Sequence, residues 1–262
     1  MFDIYKEMWQ RRKMVHALSL HEIKREYAGT VLGSIWGLVN PLMRIAVYWF
    51  VFQIGSRAGK PVDGAPYIAW LAIGMVSWFF MNDGFRLSSR AFRGKRHIIK
   101  NTPFPIAILP AVQIMYSFYT HIILLVVILA VMAFSIDPSW FWLQVVYYDF
   151  AGLMLLLGLG AVTAPLVAIS KDFGRFLDTV LIFLFWMTPI LWNVDNAGRF
   201  DKIVKLNPFH YVVQGYRDSI LFKSGFWEHP VYTLYFWIVV LILFALGNYM
   251  YKRMKPIFLD IM

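Results

Sequence analysis

The chain has 262 residues, of which 60% are hydrophobic and only 15% are charged, and its mean hydropathy is +0.58. Soluble domains carry about 25% charged residues, so this composition predicts an integral membrane protein with no separate soluble enzyme domain among these residues. The absence of cysteine excludes disulfides, thiolate metal sites and cysteine nucleophiles. The formal net charge of +10 does not indicate nucleic-acid binding, because Lys and Arg in a membrane protein report first on its orientation.

The N-terminal segment, residues 1–30, is charged and lacks a continuous apolar run, so we expect no cleaved signal peptide. One helical face of residues 2–10 is apolar and comprises Phe2, Ile4, Tyr5, Met8 and Trp9. This pattern predicts an amphipathic helix that lies in the cytoplasmic membrane interface. The alternative is a soluble cytoplasmic helix docked on a partner.

Three glycines at a spacing of four residues, Gly29, Gly33 and Gly37, precede Pro41 at the start of the first long apolar segment. Helices in lipid associate by close packing, and small residues let their backbones approach. We therefore predict that the three glycines form one helix-packing face and that Pro41 permits a bend.

Six apolar segments reach or approach the length of about 17–25 residues that is needed to cross a bilayer. They are residues 31–54, 67–85, 104–134, 141–169, 176–192 and 231–251. We therefore predict an all-α membrane protein with six transmembrane helices.

Six spans place both termini on the same side, which also carries most of the Lys and Arg residues. The positive-inside rule assigns that side to the cytoplasm. The single domain predicted for residues 1–262 then consists of a cytoplasmic interface segment, 1–30, a six-span bundle, 31–251, and a cytoplasmic tail, 252–262.

A basic stripe at helical spacing follows the second predicted span and comprises Arg86, Arg90, Arg93, His97 and Lys100. A solvated loop that follows the positive-inside rule explains this charge as well as a docking surface does.

Ionisable residues inside predicted spans are costly and often functional. Arg44 and His121 lie deep in the first and third spans, so we expect them to face a polar interior, where Arg44 could meet an anionic substrate. Asp83 and Asp149 are expected to form local hydrogen bonds or to reach the membrane surface. Most of the many aromatic residues fit interfacial belts, and a minority are expected to line a substrate path.

The segment 193–230 is the longest external connection and mixes apolar with charged residues. Asn207 and Pro208 form a typical helix start, and Arg217 lies ten residues into this helix-forming stretch. We predict a pair of short re-entrant helices before the last span, with an amphipathic external loop as the alternative.

Three segments resemble the ABC-2 type permeases that export polysaccharides. They are "KREYAGTVLGSIWGLVNPLM" (24–43), "IIKNTPFPIAILP" (98–110) and "LNPFHYVVQGYRDSIL" (206–221). They occur in the family's order and span most of the chain. Two further segments, "NPLMRIAVYWFVF" (40–52) and "DGAPYIAWLAIGMVSWFF" (63–80), look most like teichoic-acid translocation permeases.

This resemblance implies that two copies of the chain pair with two ABC ATPase subunits in an ATP-hydrolysing translocase. The complex would carry wall teichoic acid, linked to undecaprenyl diphosphate, across the cytoplasmic membrane of a bacterium. The chain lacks a G-x-x-x-x-G-K-[ST] phosphate loop, so ATP and Mg would be bound by the partner ATPase. We expect no catalytic site, metal or cofactor in this chain, and membrane lipids but no nucleic acid among its partners.

The resemblance also assigns roles to particular residues. It implies that residues 86–103, with the adjoining Phe104, form a coupling helix docked on the ATPase. Lys24 and Arg25 would attract the anionic diphosphate head group that this substrate implies; the alternative is that they only satisfy the positive-inside bias. The candidate substrate path then comprises Lys24, Arg25, Arg44, Tyr48, Trp49, Phe52, Trp78 and Phe79.

Three alternatives remain at this point. An O-antigen or capsular polysaccharide exporter permease differs only in the polymer. A secondary transporter is disfavoured because no inverted repeat and no cluster of ion-coupling carboxylates is evident in the sequence. A membrane-embedded enzyme would need converging acid and base groups, and the six His residues are scattered along the chain.

Overall fold

The computed structural model describes residues 3–53, 62, 64–93 and 105–261, and these residues form helices and turns, without a β-strand. The α-helices are α1 (Asp3–Gln10), α2 (Arg12–Glu26), α3 (Trp36–Phe52), α4 (Tyr67–Ser89), α5 (Leu109–Met132), α6 (Val145–Ile169), α7 (Lys171–Met187), α8 (Asp201–Lys205), α9 (Pro208–Arg217) and α10 (Pro230–Ile261). Short 3₁₀ turns precede α3, α5 and α6. The predicted all-α fold is confirmed.

Five helical segments are long and apolar enough to cross a membrane. They are Gly33–Phe52, Tyr67–Ser89, Ile106–Met132, Trp140–Ile169 and Pro230–Arg253. The predicted fifth span corresponds to α7, which has 17 residues and a charged first half. At about 1.5 Å per residue it extends about 26 Å, close to the hydrocarbon thickness of about 30 Å. The six-span count therefore stays a prediction.

Helix α4 lies at the centre of the bundle, where it packs against α5, α6 and α9. Its side chains are buried along nearly the whole helix, including Leu71, Val76 and Met81. Helix α6 approaches its neighbours closely at glycines: a Cβ on Gly160 would stand 2.9 Å from Ser88 Oγ of α4, and one on Gly158 would stand 2.9 Å from Leu243 Cβ of α10. Small residues thus determine the helix spacing here.

The predicted glycine face at the start of span one is wrong. Gly29 and Gly33 have φ angles of +80° and +53°. Gly29 lies in the turn after α2, and Gly33 is the first residue of the 3₁₀ turn before α3, so neither lies in an α-helix. No described atom lies within 4 Å of a Cβ placed on either residue. Of the three glycines, only Gly37 lies in an α-helix, and a Cβ there would be 2.7 Å from the Tyr27 hydroxyl. Gly29 and Gly33 permit left-handed backbone conformations, which residues with a side chain adopt only at a cost in free energy.

Helix α1 is amphipathic as predicted, and part of its apolar face is covered by the chain itself. Ile4 and Met8 are buried in a cluster with Ile108 at the start of α5 and Tyr251 of α10. Trp9, by contrast, is 70% exposed. Membrane-interface placement of α1 stays a prediction. We call the end of the bundle on which α1 packs the N-terminal face.

The segment between α7 and α10 folds over the opposite end of the bundle. Asn207 caps α9 by accepting a hydrogen bond from Phe209 N at 3.0 Å, and Pro208 is the first residue of the helix. The predicted helix start is therefore confirmed. Helix α9 packs against α4, α6 and α10, and whether it re-enters the membrane stays a prediction.

Candidate functional site

A polar cavity of about 360 Å³ extends from the N-terminal face into the bundle between α2, α3, α4 and α5. Its outer part is lined by Glu22 and Arg25 of α2, and its inner end by His121 of α5. Pockets of about 300–1,000 Å³ are typical of ligand sites, so this polar cavity is the candidate site.

The polar cavity contains three arginines, and the chain neutralises two of them. Arg25 Nη2 lies 2.8 Å from Glu22 Oε2, and Arg86 Nη2 lies 3.2 Å from Asp83 Oδ1. Arg44 lies over the ring of Phe79, with its Cζ 5.8 Å from the ring centroid. Within the described part of the chain, Arg44 has no carboxylate within ion-pair distance. Asp83 is close enough for its carboxylate to interact with the Arg44 charge without forming an ion pair, so the guanidinium keeps its hydrogen-bond donors for a ligand.

The mouth of the polar cavity contains Tyr27, which follows α2 and touches the first turn of α3 at Gly37. Burial raises the pKa of the Tyr27 hydroxyl, and a hydrogen bond with Tyr116 partly offsets this rise. The phenol therefore stays protonated at neutral pH and contributes a neutral polar group to the mouth.

A polar stripe on one face of α5 lines the polar cavity, and the sequence analysis did not identify it. It comprises Gln113, Tyr116, Ser117, Thr120 and His121. The signal was present in the sequence as an i, i+3, i+4, i+7, i+8 spacing, which places residues on one helix face. Only His121 was singled out, and it does line the cavity as predicted.

The ring of His121 connects the polar cavity to the interior of the bundle. His121 Nε2 lies 3.0 Å from Asp149 Oδ1 of α6 and 2.9 Å from the Tyr216 hydroxyl of α9. Tyr216 also donates a hydrogen bond to Asp149. Asp149 therefore makes the local hydrogen bonds that were expected of it, and the trio joins three helices.

An aromatic cleft of about 490 Å³ adjoins the polar cavity, and Arg44, Phe79 and Arg86 line both spaces. Tyr48 of α3 and Trp78 of α4 line the aromatic cleft only. The structure thus brings together five of the predicted path residues: Arg25, Arg44, Tyr48, Trp78 and Phe79. Lys24, Trp49 and Phe52 line neither space.

The predicted coupling stripe is not one continuous helix in the described residues. Helix α4 ends at Ser89, so Arg90 and Arg93 lie in the turns that follow. Arg90 is engaged within the chain, since it pairs with Asp178 of α7 and lies 3.4 Å from the Gly174 carbonyl oxygen. His97, Lys100 and Phe104 lie outside the described residues.

Arg217 is buried at the opposite end of the bundle, with 0% exposure. It donates to the backbone carbonyls of Trp70 (3.2 Å), Pro189 (2.6 Å) and Ile190 (3.1 Å). Its guanidinium also stacks over Trp70 at 3.5 Å. Arg217 therefore ties α9 to the start of α4 and to the chain after α7, a role that sequence spacing did not predict.

The chain belongs to the ABC-2 type transporter family, whose family model matches residues 14–221. Members of this family are membrane subunits that work with ABC ATPase subunits. Together with the five apolar helices, this makes the chain an integral membrane protein.

Curated relatives include two permeases of O-antigen export systems, named RfbA, from Klebsiella pneumoniae. They are 26% and 25% identical to this chain over 245 and 244 residues, which is 92% of each chain in both cases. The RfbA permease of Myxococcus xanthus is 24% identical over 237 residues, 87% of this chain and 86% of the relative.

Proposed function

We propose that this chain is the transmembrane subunit of an ABC exporter that carries a lipid-linked polysaccharide out across the cytoplasmic membrane of a bacterium. The family and the named role of the relatives support this proposal. The structural observation that carries it is Arg44, a cation within a candidate span that faces both the polar cavity and the aromatic cleft.

An arginine at this depth is costly unless it faces a polar interior or an anion. Guanidinium groups bind phosphate through two parallel hydrogen bonds. Arg25 and Arg86 already pair with carboxylates, whereas Arg44 makes no ion pair among the described residues. We infer that the diphosphate of an undecaprenyl diphosphate carrier enters the polar cavity from the N-terminal face, the side predicted to be cytoplasmic.

The adjoining aromatic cleft fits the remainder of such a substrate. Aromatic faces pack against the apolar faces of sugar rings and against a polyprenyl tail, while the charged head stays beside Arg44. Tyr48 and Trp78, which line the cleft, are the path residues assigned to this role. A second copy of the chain and two ATPase subunits complete the proposed complex, and the ATPase subunits bind ATP and Mg.

The polymer has two candidates. The curated relatives are O-antigen permeases and favour a polysaccharide of that type. The resemblance of residues 40–52 and 63–80 to teichoic-acid permeases favours a polyol phosphate polymer instead. Stimulation of the reconstituted complex by one lipid-linked polymer and not by the other separates them.

Arg44→Gln tests the proposed diphosphate site. In liposomes containing the full complex, undecaprenyl diphosphate should stimulate ATP hydrolysis, and the variant should require about tenfold more lipid for half-maximal stimulation. A hydrogen-bonded charge contributes about 1.5–3 kcal/mol, and 1.4 kcal/mol corresponds to about tenfold in affinity.

The matched control is Arg199→Gln, since Arg199 also lies over a phenylalanine ring, that of Phe200, but on the exposed surface. It should leave the lipid titration unchanged. An Arg44→Gln complex that responds like the wild type, or equal stimulation by a neutral polyprenol, would refute diphosphate recognition at Arg44.

A further inference from the structure

Two buried polar atoms on α5 lack a partner, and both belong to residues that line the polar cavity. Ser117 is 3% exposed and His121 is 4% exposed. Neither Ser117 Oγ nor His121 Nδ1 has a hydrogen-bond partner among the described residues. Because the two residues are four apart on one helix, their side chains are neighbours on the same face, with Cβ atoms about 5–6 Å apart.

The surroundings of His121 fix what its free nitrogen can do. Its Nε2 faces the carboxylate of Asp149 at 3.0 Å, and a carboxylate accepts hydrogen bonds. In the neutral ring the proton therefore lies on Nε2, which leaves Nδ1 as an acceptor. The ring stacks on Phe80, with centroids 4.8 Å apart and planes inclined by 23°, so Nδ1 is held in place.

Unpaired polar atoms at this depth are expensive, because the hydrocarbon region offers no replacement partner. Water or a ligand in the polar cavity can supply one. His121 Nδ1 needs a donor, and Ser117 Oγ can both donate and accept. A hydroxyl group can donate to Nδ1 and can also pair with Ser117 Oγ, so it meets both needs.

We propose that Ser117 and His121 form a hydroxyl-recognition subsite for the sugar attached directly to the lipid diphosphate. This inference rests on the proposed function, which places the diphosphate at Arg44, a residue that lines the same polar cavity. From Gln113 to His121 the lining face of α5 extends about 12 Å at 1.5 Å per residue, enough to separate a diphosphate from a sugar ring. The subsite lets the complex distinguish a loaded carrier lipid from an empty one.

The test compares two lipids in liposomes that contain the full complex: undecaprenyl diphosphate, and the same lipid carrying one N-acetylhexosamine. The sugar-bearing lipid should half-maximally stimulate ATP hydrolysis at about fivefold lower concentration, since one net hydrogen bond of about 1 kcal/mol corresponds to that factor. Ser117→Ala should abolish this difference, so that the two lipids half-maximally stimulate ATP hydrolysis at the same concentration.

Ser77→Ala is the matched control, because Ser77 is equally buried but its hydroxyl already bonds to the carbonyls of Ile73 and Gly74 in α4. It should keep the fivefold preference. Ser117→Ala should also leave the melting temperature unchanged without lipid, which excludes misfolding as the cause.

Equal stimulation of the wild-type complex by the two lipids, or a preference that survives Ser117→Ala, overturns the subsite and leaves water as the partner of both atoms. Stimulation by neither lipid overturns the proposed function itself, and the subsite with it.

Discussion

Replacing Arg217 by methionine is expected to destabilise the folded bundle by about 3–5 kcal/mol, because three buried carbonyl acceptors lose their donor. The change keeps most of the side-chain volume but removes the hydrogen bonds to Trp70, Pro189 and Ile190. Their carbonyl oxygens would then remain buried, and each unpaired acceptor costs about 1–3 kcal/mol.

The same reasoning predicts how a second substitution couples to the first. A Cβ on Gly74 of α4 would overlap Arg217 Nη2 and stand 3.0 Å from its Cζ. Three carbonyl contacts hold the guanidinium, so it cannot move aside. Gly74→Ala alone should cost about 1–3 kcal/mol, the usual range for overpacking. In the Arg217→Met background it should cost almost nothing, because the obstructing group is gone.

Thermal unfolding of the purified protein in detergent measures both effects. Domains of 150–250 residues lose about 2–4 °C in melting temperature per kcal/mol, so Arg217→Met should lower it by roughly 10 °C. Arg199→Met, on the surface, should have almost no effect. Additive losses for Gly74→Ala and Arg217→Met, with no coupling energy in the double-mutant cycle, would refute the packing of Arg217 against Gly74.

Two further predictions concern glycines and the coupling segment. Gly33→Ala should lower the free energy of unfolding by about 1–2 kcal/mol, because Gly33 has a positive φ. Gly160→Leu should lower it by about 3 kcal/mol or more, because Gly160 contacts α4 closely. A larger drop in melting temperature for Gly33→Ala than for Gly160→Leu would contradict these assignments. Arg90→Asp should lower stability by about 1 kcal/mol, because the partly exposed pair with Asp178 is lost, and adding Asp178→Arg should restore it. If the restored protein still fails in ATP-driven export, Arg90 also contacts the ATPase; if it exports normally, the contact with Asp178 accounts for its role.

Local patterns were sufficient to predict most of the helices. Apolar runs longer than about 17 residues have few alternatives to spanning helices, because every backbone polar group in lipid must be satisfied within its own segment. Local patterns also predicted the amphipathic face of α1 and the start of α9. At the start of α9, the Asn207 side chain and Pro208 act within one turn. The family signatures add an identification that composition alone does not provide.

The glycine register shows where local reasoning fails. A spacing of four residues predicts a helix face only if the residues are helical, and the chain between α2 and α3 turns before the helix begins. The glycines that do separate packed helices, such as Gly158 and Gly160 of α6, have nothing in their spacing that identifies the partner helix. Close approach is a property of two segments, so one segment cannot predict it.

The candidate site likewise combines features that the local sequence indicates with features that arise only when distant helices pack together. Hydropathy and helical spacing were enough to predict a helical, membrane-embedded protein with Arg44 and His121 deep within spans. The missing phosphate loop adds the prediction that ATP binds to another chain. The pairs Arg25–Glu22 and Arg86–Asp83 join residues three apart in one helix, so helical spacing could have indicated them. The contacts of His121 with Asp149 and Tyr216 join three different helices, and no spacing within one segment indicates them. Burial and contacts between helices depend on distances between residues far apart in the chain, whereas hydropathy, helical periodicity and i, i+3 ion pairs depend on near neighbours in the sequence.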